Sequence, residues 1–161
     1  MSVKKEELLA LIRQFTSEEV GEIPNSTPIG FIIKKEILLS LCEKLYINPA
    51  TYVDMLSCIT GVDNGPEGGT MEVIYHLYSI PFSYSLALKV ILPRESPEVE
   101  SVVSIWKSAN WLEREVYDMF GIGFKNHPDL RRILMPADWK GYPLRKDYKQ
   151  EEYYRGVKIE Y

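Results

Sequence analysis

The stretch LEREVYDMFG, residues 112–121, gathers three carboxylates, an arginine and two aromatics into ten positions. Carboxylates do general acid–base work when a cleft drives their pKa values apart, or when a histidine or nucleophile lies within hydrogen-bond reach. Glu113 and Glu115 do not meet the first condition, because on a helix they project about 200° apart and cannot converge on one substrate atom. The second condition calls on His76 or His127, the two histidines of the chain. His76 falls in a strand-like stretch. His127 precedes Pro128 at what reads as the start of a short helix, HPDLRRI, where capping is its simplest role. GxSxG, HExxH, CxxC and P-loop patterns do not occur. GIGFKN, residues 121–126, has Asn126 where a dinucleotide fingerprint needs its third glycine, and DNGPEGG, residues 63–69, lacks the Lys-Ser/Thr ending of a phosphate loop. A stand-alone enzyme using Glu115 or Asp118 with His127 is the weakest functional reading.

The spacing predicts how this segment is held. Asn110 with Glu113 three residues on has the form of a capping box, so a helix should begin near Trp111. Leu112, Val116, Met119 and Phe120 would form its buried stripe, and Gly121 suits the left-handed position that closes a helix. Trp111, Arg114, Glu115 and Asp118 would then share the wet face. There an Arg114–Asp118 pair at i, i+4 would contribute only about 0.3–0.5 kcal/mol.

The elements that position this helix are legible upstream. Leu8, Leu11, Ile12 and Phe15 predict an amphipathic helix over 3–15, and Leu38, Leu41, Cys42 and Leu45 predict another over 35–47. TPIGFIIK (27–34) reads as a strand, and another runs through YVDMLSCITG (52–61) before the turn-rich VDNGPEGG. Residues 70–79 and 84–92 alternate apolar and polar, which predicts an antiparallel hairpin with one wet face. Ser96-Pro97-Glu98 has the form of a helix start, with Val99, Val102, Val103 and Trp106 as its apolar stripe. The order predicts an α+β fold: a single compact domain over 1–135, a mixed sheet with helices packed on one face.

The chain's 161 residues and 45% hydrophobic content suit one domain with a sizeable core. A net charge of −4 argues against a nucleic-acid binder, and no apolar run approaches the roughly 20 residues that span a bilayer. The N-terminus turns acidic before any secretory h-region could begin. Cys42 and Cys58 sit in apolar stretches and read as buried free thiols of a reducing, cytoplasmic compartment. Beyond Pro136 the character changes. Residues 136–161 have no sustained period yet carry Trp139, Tyr142, Tyr148, Tyr153, Tyr154 and Tyr161, whereas disordered tails are poor in aromatics. This segment reads as an extended C-terminal docking arm. Arg131, Arg132, Trp139 and Arg145 are of types enriched at interface hot spots, and the alternative is a solvated turn with Trp139 folded back on its own domain.

EREVYDMFGIGFKNHPDLRRILMPADWKGYPLRKDY, residues 113–148, resembles the signature of the 30-kilodalton subunit family of respiratory complex I. This is the C-subunit of the bacterial NADH–quinone oxidoreductase, with the J-subunit as its plastid and cyanobacterial counterpart. Arg114, Glu115, Tyr117 and Asp118 match the family's helix motif. Arg131, Arg132, Pro136, Asp138, Trp139, Gly141, Pro143, Leu144, Arg145, Asp147 and Tyr148 match its downstream run. The resemblance implies a scaffold subunit with no cofactor of its own, the flavin, iron–sulfur clusters and quinone being held by partner subunits. It implies docking on the large 49-kilodalton D-subunit and on neighbouring cluster-bearing subunits. The site would be the peripheral arm on the cytoplasmic or stromal face of an energy-transducing membrane, touching the membrane only through the complex. Electron transfer to quinone there is coupled to proton translocation. Arg114, Glu115, Asp118, Arg131, Arg132, Trp139, Pro143, Arg145 and Tyr148 become the expected docking residues. The runner-up is the equivalent subunit of a membrane-bound hydrogenase complex. Many relatives extend further beyond the Tyr148 position than this sequence does.

Overall fold

The computed structural model describes residues 5–159, so positions 3 and 4 of the first expected helix, and Tyr161, lie outside it. Helix α1 (Lys5–Phe15) opens on Glu6 and Glu7 and closes on Arg13, which matches charge to the helix dipole at both ends. Leu8 and Ile12, one turn apart, are fully buried. Strand β1 (Gly21–Ile23) pairs antiparallel with β2 (Ile29–Ile33). A 3-10 turn at Lys35–Ile37 leads into α2 (Leu38–Ile47), which buries Leu38, Leu41, Cys42 and Leu45.

Strands β3 (Met55–Asp63), β4 (Thr70–Ser79) and β5 (Tyr84–Pro93) form an antiparallel meander; a single helical turn, α3 (Gly65–Gly68), links the first two. The register puts Val73 opposite Val90, Tyr75 opposite Leu88 and Leu77 opposite Leu86, all on the buried face. β2 joins this meander parallel to β5, giving a mixed sheet of order β1-β2-β5-β4-β3. Its buried face and the apolar stripes of α1 and α2 share one core. On the other face Glu72 pairs with Lys89 at 2.7 Å.

Residues 96–106 depart from the expected helix. Glu98–Glu100 form a strand, β6, followed by turns. β6 pairs in parallel with β7 (Gly123–Lys125), Val99 lying opposite Phe124. Val99, Val102, Val103 and Trp106 are buried as their apolar character required. β-Branched residues suit a strand at least as well as a helix, and the deciding partner lies more than twenty residues downstream, beyond any local pattern. Trp106 donates its indole N–H to the Val53 carbonyl at 3.2 Å and meets Tyr46 edge-on.

Helix α4 (Ala109–Phe120) packs against the edge strand β3. A side chain at Gly61 would lie 2.6 Å from the Phe120 ring, so glycine is what lets helix and strand approach. α4 ends as expected: Gly121 adopts φ 71° and donates to the Tyr117 carbonyl at 2.8 Å. The helix expected at HPDLRRI does not form. Cys42 is buried, but Cys58 is exposed, because on β3 it falls on the wet face opposite His76.

Candidate docking site

The N-terminus of α4 departs from the expected capping box. The helix begins at Ala109, and Glu113 does not reach back to Asn110. Instead its carboxylate, fully buried, accepts the Ser101 hydroxyl at 2.6 Å and the Val102 N–H at 2.8 Å. Those donors lie in the chain just after β6, so Glu113 ties the helix to that segment. Burial pushes its pKa up to about 7, against the opposing pull of these two hydrogen bonds. His127 Nε2 stands 3.9 Å from this carboxylate, its side chain also sealed from solvent. Nε2 faces the Asn110 carbonyl at 3.1 Å, which only a donor satisfies, while Nδ1 accepts the Asp129 N–H at 3.0 Å. Both ring nitrogens are therefore committed to backbone groups. Neither Glu113 nor His127 faces solvent, so the pair offers a substrate no approach.

Asp118 and Arg114 were expected on a wet face and are buried instead, Asp118 fully and Arg114 at 6% exposure. The cause is long-range: residues 131–135 cross α4 and cover this side of it. One Asp118 oxygen, Oδ2, accepts three successive backbone N–H groups, from Ile133, Leu134 and Met135, at 2.9, 2.7 and 2.9 Å. Oδ1 takes Arg132 at 2.7 Å. Burial alone would favour the neutral acid, but these four donors outweigh it and hold the carboxyl below its ordinary range. The expected Arg114–Asp118 pair does not form. Arg132 is Asp118's partner, and it also donates to the Gly141 carbonyl at 2.8 Å, which carries the grip into the arm.

The first half of the arm lies along its own domain. Leu144 N–H donates to the Met119 carbonyl at 3.0 Å, and Arg145 Nε to that of Phe120 at 2.6 Å. Arg145, expected to seek a partner on another chain, thus finds its described partners at home. Its guanidinium and that of Arg132 both lie over the Tyr142 ring, at 4.7 and 5.1 Å. Any side chain at Gly121 would collide with Tyr142 and Arg145, so the helix-ending glycine also makes room for the arm. Trp139 donates to the Tyr148 hydroxyl at 3.0 Å and leans on Tyr154. Tyr154 belongs to a small hairpin of β8 (Tyr153–Tyr154) and β9 (Val157–Lys158), which Asp138 holds through Tyr154 and Arg155.

A second clamp carries little local sequence signal. Asp63, buried at the end of β3, receives Arg94 through both oxygens, at 2.8 and 3.1 Å. It also accepts the backbone N–H groups of Gly65 and Lys146, each at 2.9 Å. Arg94 then bridges to Asp147 at 2.5 Å. The Arg94 hydrogen bonds, foremost, hold the Asp63 carboxyl far below its usual range. The participants stand 31 and 83 positions apart, so only an Asx-turn pattern at Asp63-Asn64-Gly65 hinted at them.

Several expected docking residues do face outward. Glu115 and Arg131 are exposed, the latter paired with Asp129 at 3.0 Å, and Pro143 is half-buried. Beside them stand exposed apolar side chains at Trp111, Leu134 and Leu144. Among the described residues no group of three or more histidines, cysteines or carboxylates could hold a metal ion, and no helix is long and apolar enough to cross a membrane.

Fold and site together define a small α+β domain whose C-terminal arm is pinned by buried carboxylates and framed by exposed apolar side chains. The family described as "Respiratory-chain NADH dehydrogenase, 30 Kd subunit" matches residues 31–154, most of the sheet and the arm as far as Tyr154. The chain belongs to this family. It is 49% identical over 109 residues to the NADH-quinone oxidoreductase C-subunit of Chloroherpeton thalassium, covering 67% of this chain and 45% of that protein. It is 38% identical to the C-subunit of Geotalea uraniireducens, covering 92% of this chain and 89% of that one. The chain thus spans from under half to most of the length of these relatives. The solved Nqo5 fragment superimposes with a TM-score of 0.60 at 30% identity, over 78% of this chain and 98% of the fragment. A chain of the membrane-bound sulfane sulfur reductase, an archaeal respiratory membrane complex, shares the fold at TM-score 0.74 and 22% identity, over 91% of this chain and 86% of that one.

Proposed function

We propose that this protein is a scaffold subunit of the peripheral arm of a complex I-type quinone oxidoreductase. It docks on the large 49-kilodalton-type subunit, and the flavin, clusters and quinone belong to its partners. The complex, its peripheral arm on the cytoplasmic or stromal face of the membrane, passes electrons from its donor to quinone and couples this to proton translocation. The observation that carries the reading is the family match running through the arm to Tyr154. The allocation of groups supports it: Glu113, His127, Asp118 and Asp63 are spent on positioning backbone, while Trp111, Leu134 and Leu144 are left exposed. Apolar side chains fixed on a rigid frame are what a docking surface needs. Arg132, Trp139, Arg145 and Tyr148 then serve mainly as braces that shape the arm.

The test is to tag this chain in its native complex and purify it from detergent-solubilised membranes. The wild type should bring down the large subunit and cluster-bearing subunits, together with quinone reductase activity. The chain purified alone should carry neither flavin nor iron. Stoichiometric cofactor in the lone chain, or turnover by it, would refute the reading. A co-purified large subunit with nickel-ligating cysteine pairs would place the chain in a hydrogenase complex instead.

A further inference from the structure

Among the described residues Arg114 has no acid beside it. It is 6% exposed, its Nε donates to the Arg131 carbonyl at 3.2 Å, and its guanidinium lies 4.8 Å from the centre of the Trp111 ring. No carboxylate among the described residues comes within ion-pair distance of it. The nearby acids are all otherwise placed. Asp118, one turn along, has both oxygens occupied by Arg132 and the 133–135 N–H groups. Glu113 serves Ser101 and Val102, and Asp129 serves Arg131. Glu115, the next residue, points about 100° away around the helix and is exposed.

A buried cation without a counter-charge is unfavourable, and protein structures normally satisfy it with a hydrogen-bonded acid. The terminal nitrogens of Arg114 are not sealed in, since the Tyr75 hydroxyl is the one buried side-chain polar atom found without a partner among the described residues. They therefore keep some contact with solvent beside Trp111, a residue 63% exposed whose ring carries the guanidinium on one face. A planar fork of donors beside a bare indole fits one kind of occupant: a carboxylate whose carbon stem lies on the ring.

We infer that Arg114 and Trp111 form a receptor for an aspartate or glutamate side chain of the partner subunit, which supplies the counter-charge that none of the described residues provides. The inference rests on the assembly reading above and adds the chemistry of one contact. Docking then converts an unpaired buried guanidinium into a paired one, so this contact favours the assembled state specifically.

The test uses the tagged complex and the free full-length chain side by side. Hydroxyl-radical footprinting should oxidise Trp111 readily in the free chain and far less in the complex. Arg114→Gln should leave the free chain folded, yet release it from the complex at lower sodium chloride, corresponding to roughly 30-fold or greater loss of affinity. Trp111 remaining equally oxidised in the complex, or Arg114→Gln surviving the same salt as wild type, would overturn the receptor. If Arg114→Gln does not fold, the wild-type footprint decides. Protection of Trp111 in the free chain by sodium phosphate but not by sodium acetate would mark an inorganic-anion site and would overturn the carboxylate receptor. A wild-type chain that brings down no oxidoreductase subunits defeats the assembly reading and this inference together. Subunits present with Trp111 unprotected defeat the receptor alone.

Discussion

Replacing Glu113 by glutamine removes a charge from the interior without changing the shape that fills the space. Burial raises this acid from 4.5 to about 7, so the folded chain binds its proton more tightly than the unfolded chain does. A group raised in the folded state contributes stability that is complete below its unfolded pKa and lost as the pH rises through the folded one. The loss therefore runs from about pH 4.5 to pH 7. At 1.36 kcal/mol per pH unit, that displacement amounts to about 3 kcal/mol. The buried thiol of Cys42 and phenol of Tyr75, both pushed upward by burial, stay neutral over this range. Asp63 and Asp118, both held low, contribute stability that is lost only as pH falls below the ordinary carboxylate range. Urea unfolding at pH 5, 6, 7 and 8, followed by tryptophan fluorescence, isolates Glu113 as the difference between wild type and Glu113→Gln. The variant should be near neutral at pH 5 and more stable than wild type at pH 8, by up to about 3 kcal/mol. A parallel pair of pH profiles, with glutamine equally destabilising throughout, would refute the reasoning. It would mean that the Ser101 and Val102 hydrogen bonds stabilise an ionised carboxylate more than burial penalises it.

Asp118→Ala should cost about 3–5 kcal/mol in urea unfolding of the free chain, because it strands a largely buried Arg132 and three backbone N–H groups at once. Asp147→Ala should leave the unfolding midpoint nearly unchanged while speeding limited proteolysis around Lys146 and Lys149, since Asp147 is half-exposed and clamps only the arm to Arg94. Iodoacetamide should label one thiol of the folded chain, Cys58, and label Cys42 only after denaturation, as peptide mass mapping would show. Two rapid labels in the native chain would contradict the packing of α2.

Local chemistry sufficed wherever one chain segment carries its own answer. The stripes of α1 and α2, the alternation of β4 and β5, and the glycine that ends α4 are all properties of neighbouring residues, and they appear where the spacing placed them. The family was equally legible, because its signature is contiguous from Glu113 to Tyr148. What failed depended on distant partners. Val99 became strand because Phe124 arrived beside it, and Glu113 abandoned the cap because Ser101 and Val102 presented unsatisfied donors. Charge density on α4 suggested water, yet the crossing of residues 131–135 turned Asp118 into a buried anchor and left Arg114 buried with no acid beside it among the described residues. Sequence thus determined those elements whose apolar period is self-contained, whereas β6 waited on its partner strand. Tertiary structure alone decided which polar groups are enclosed, because desolvation and hydrogen-bond pairing depend on whatever the fold lays across them.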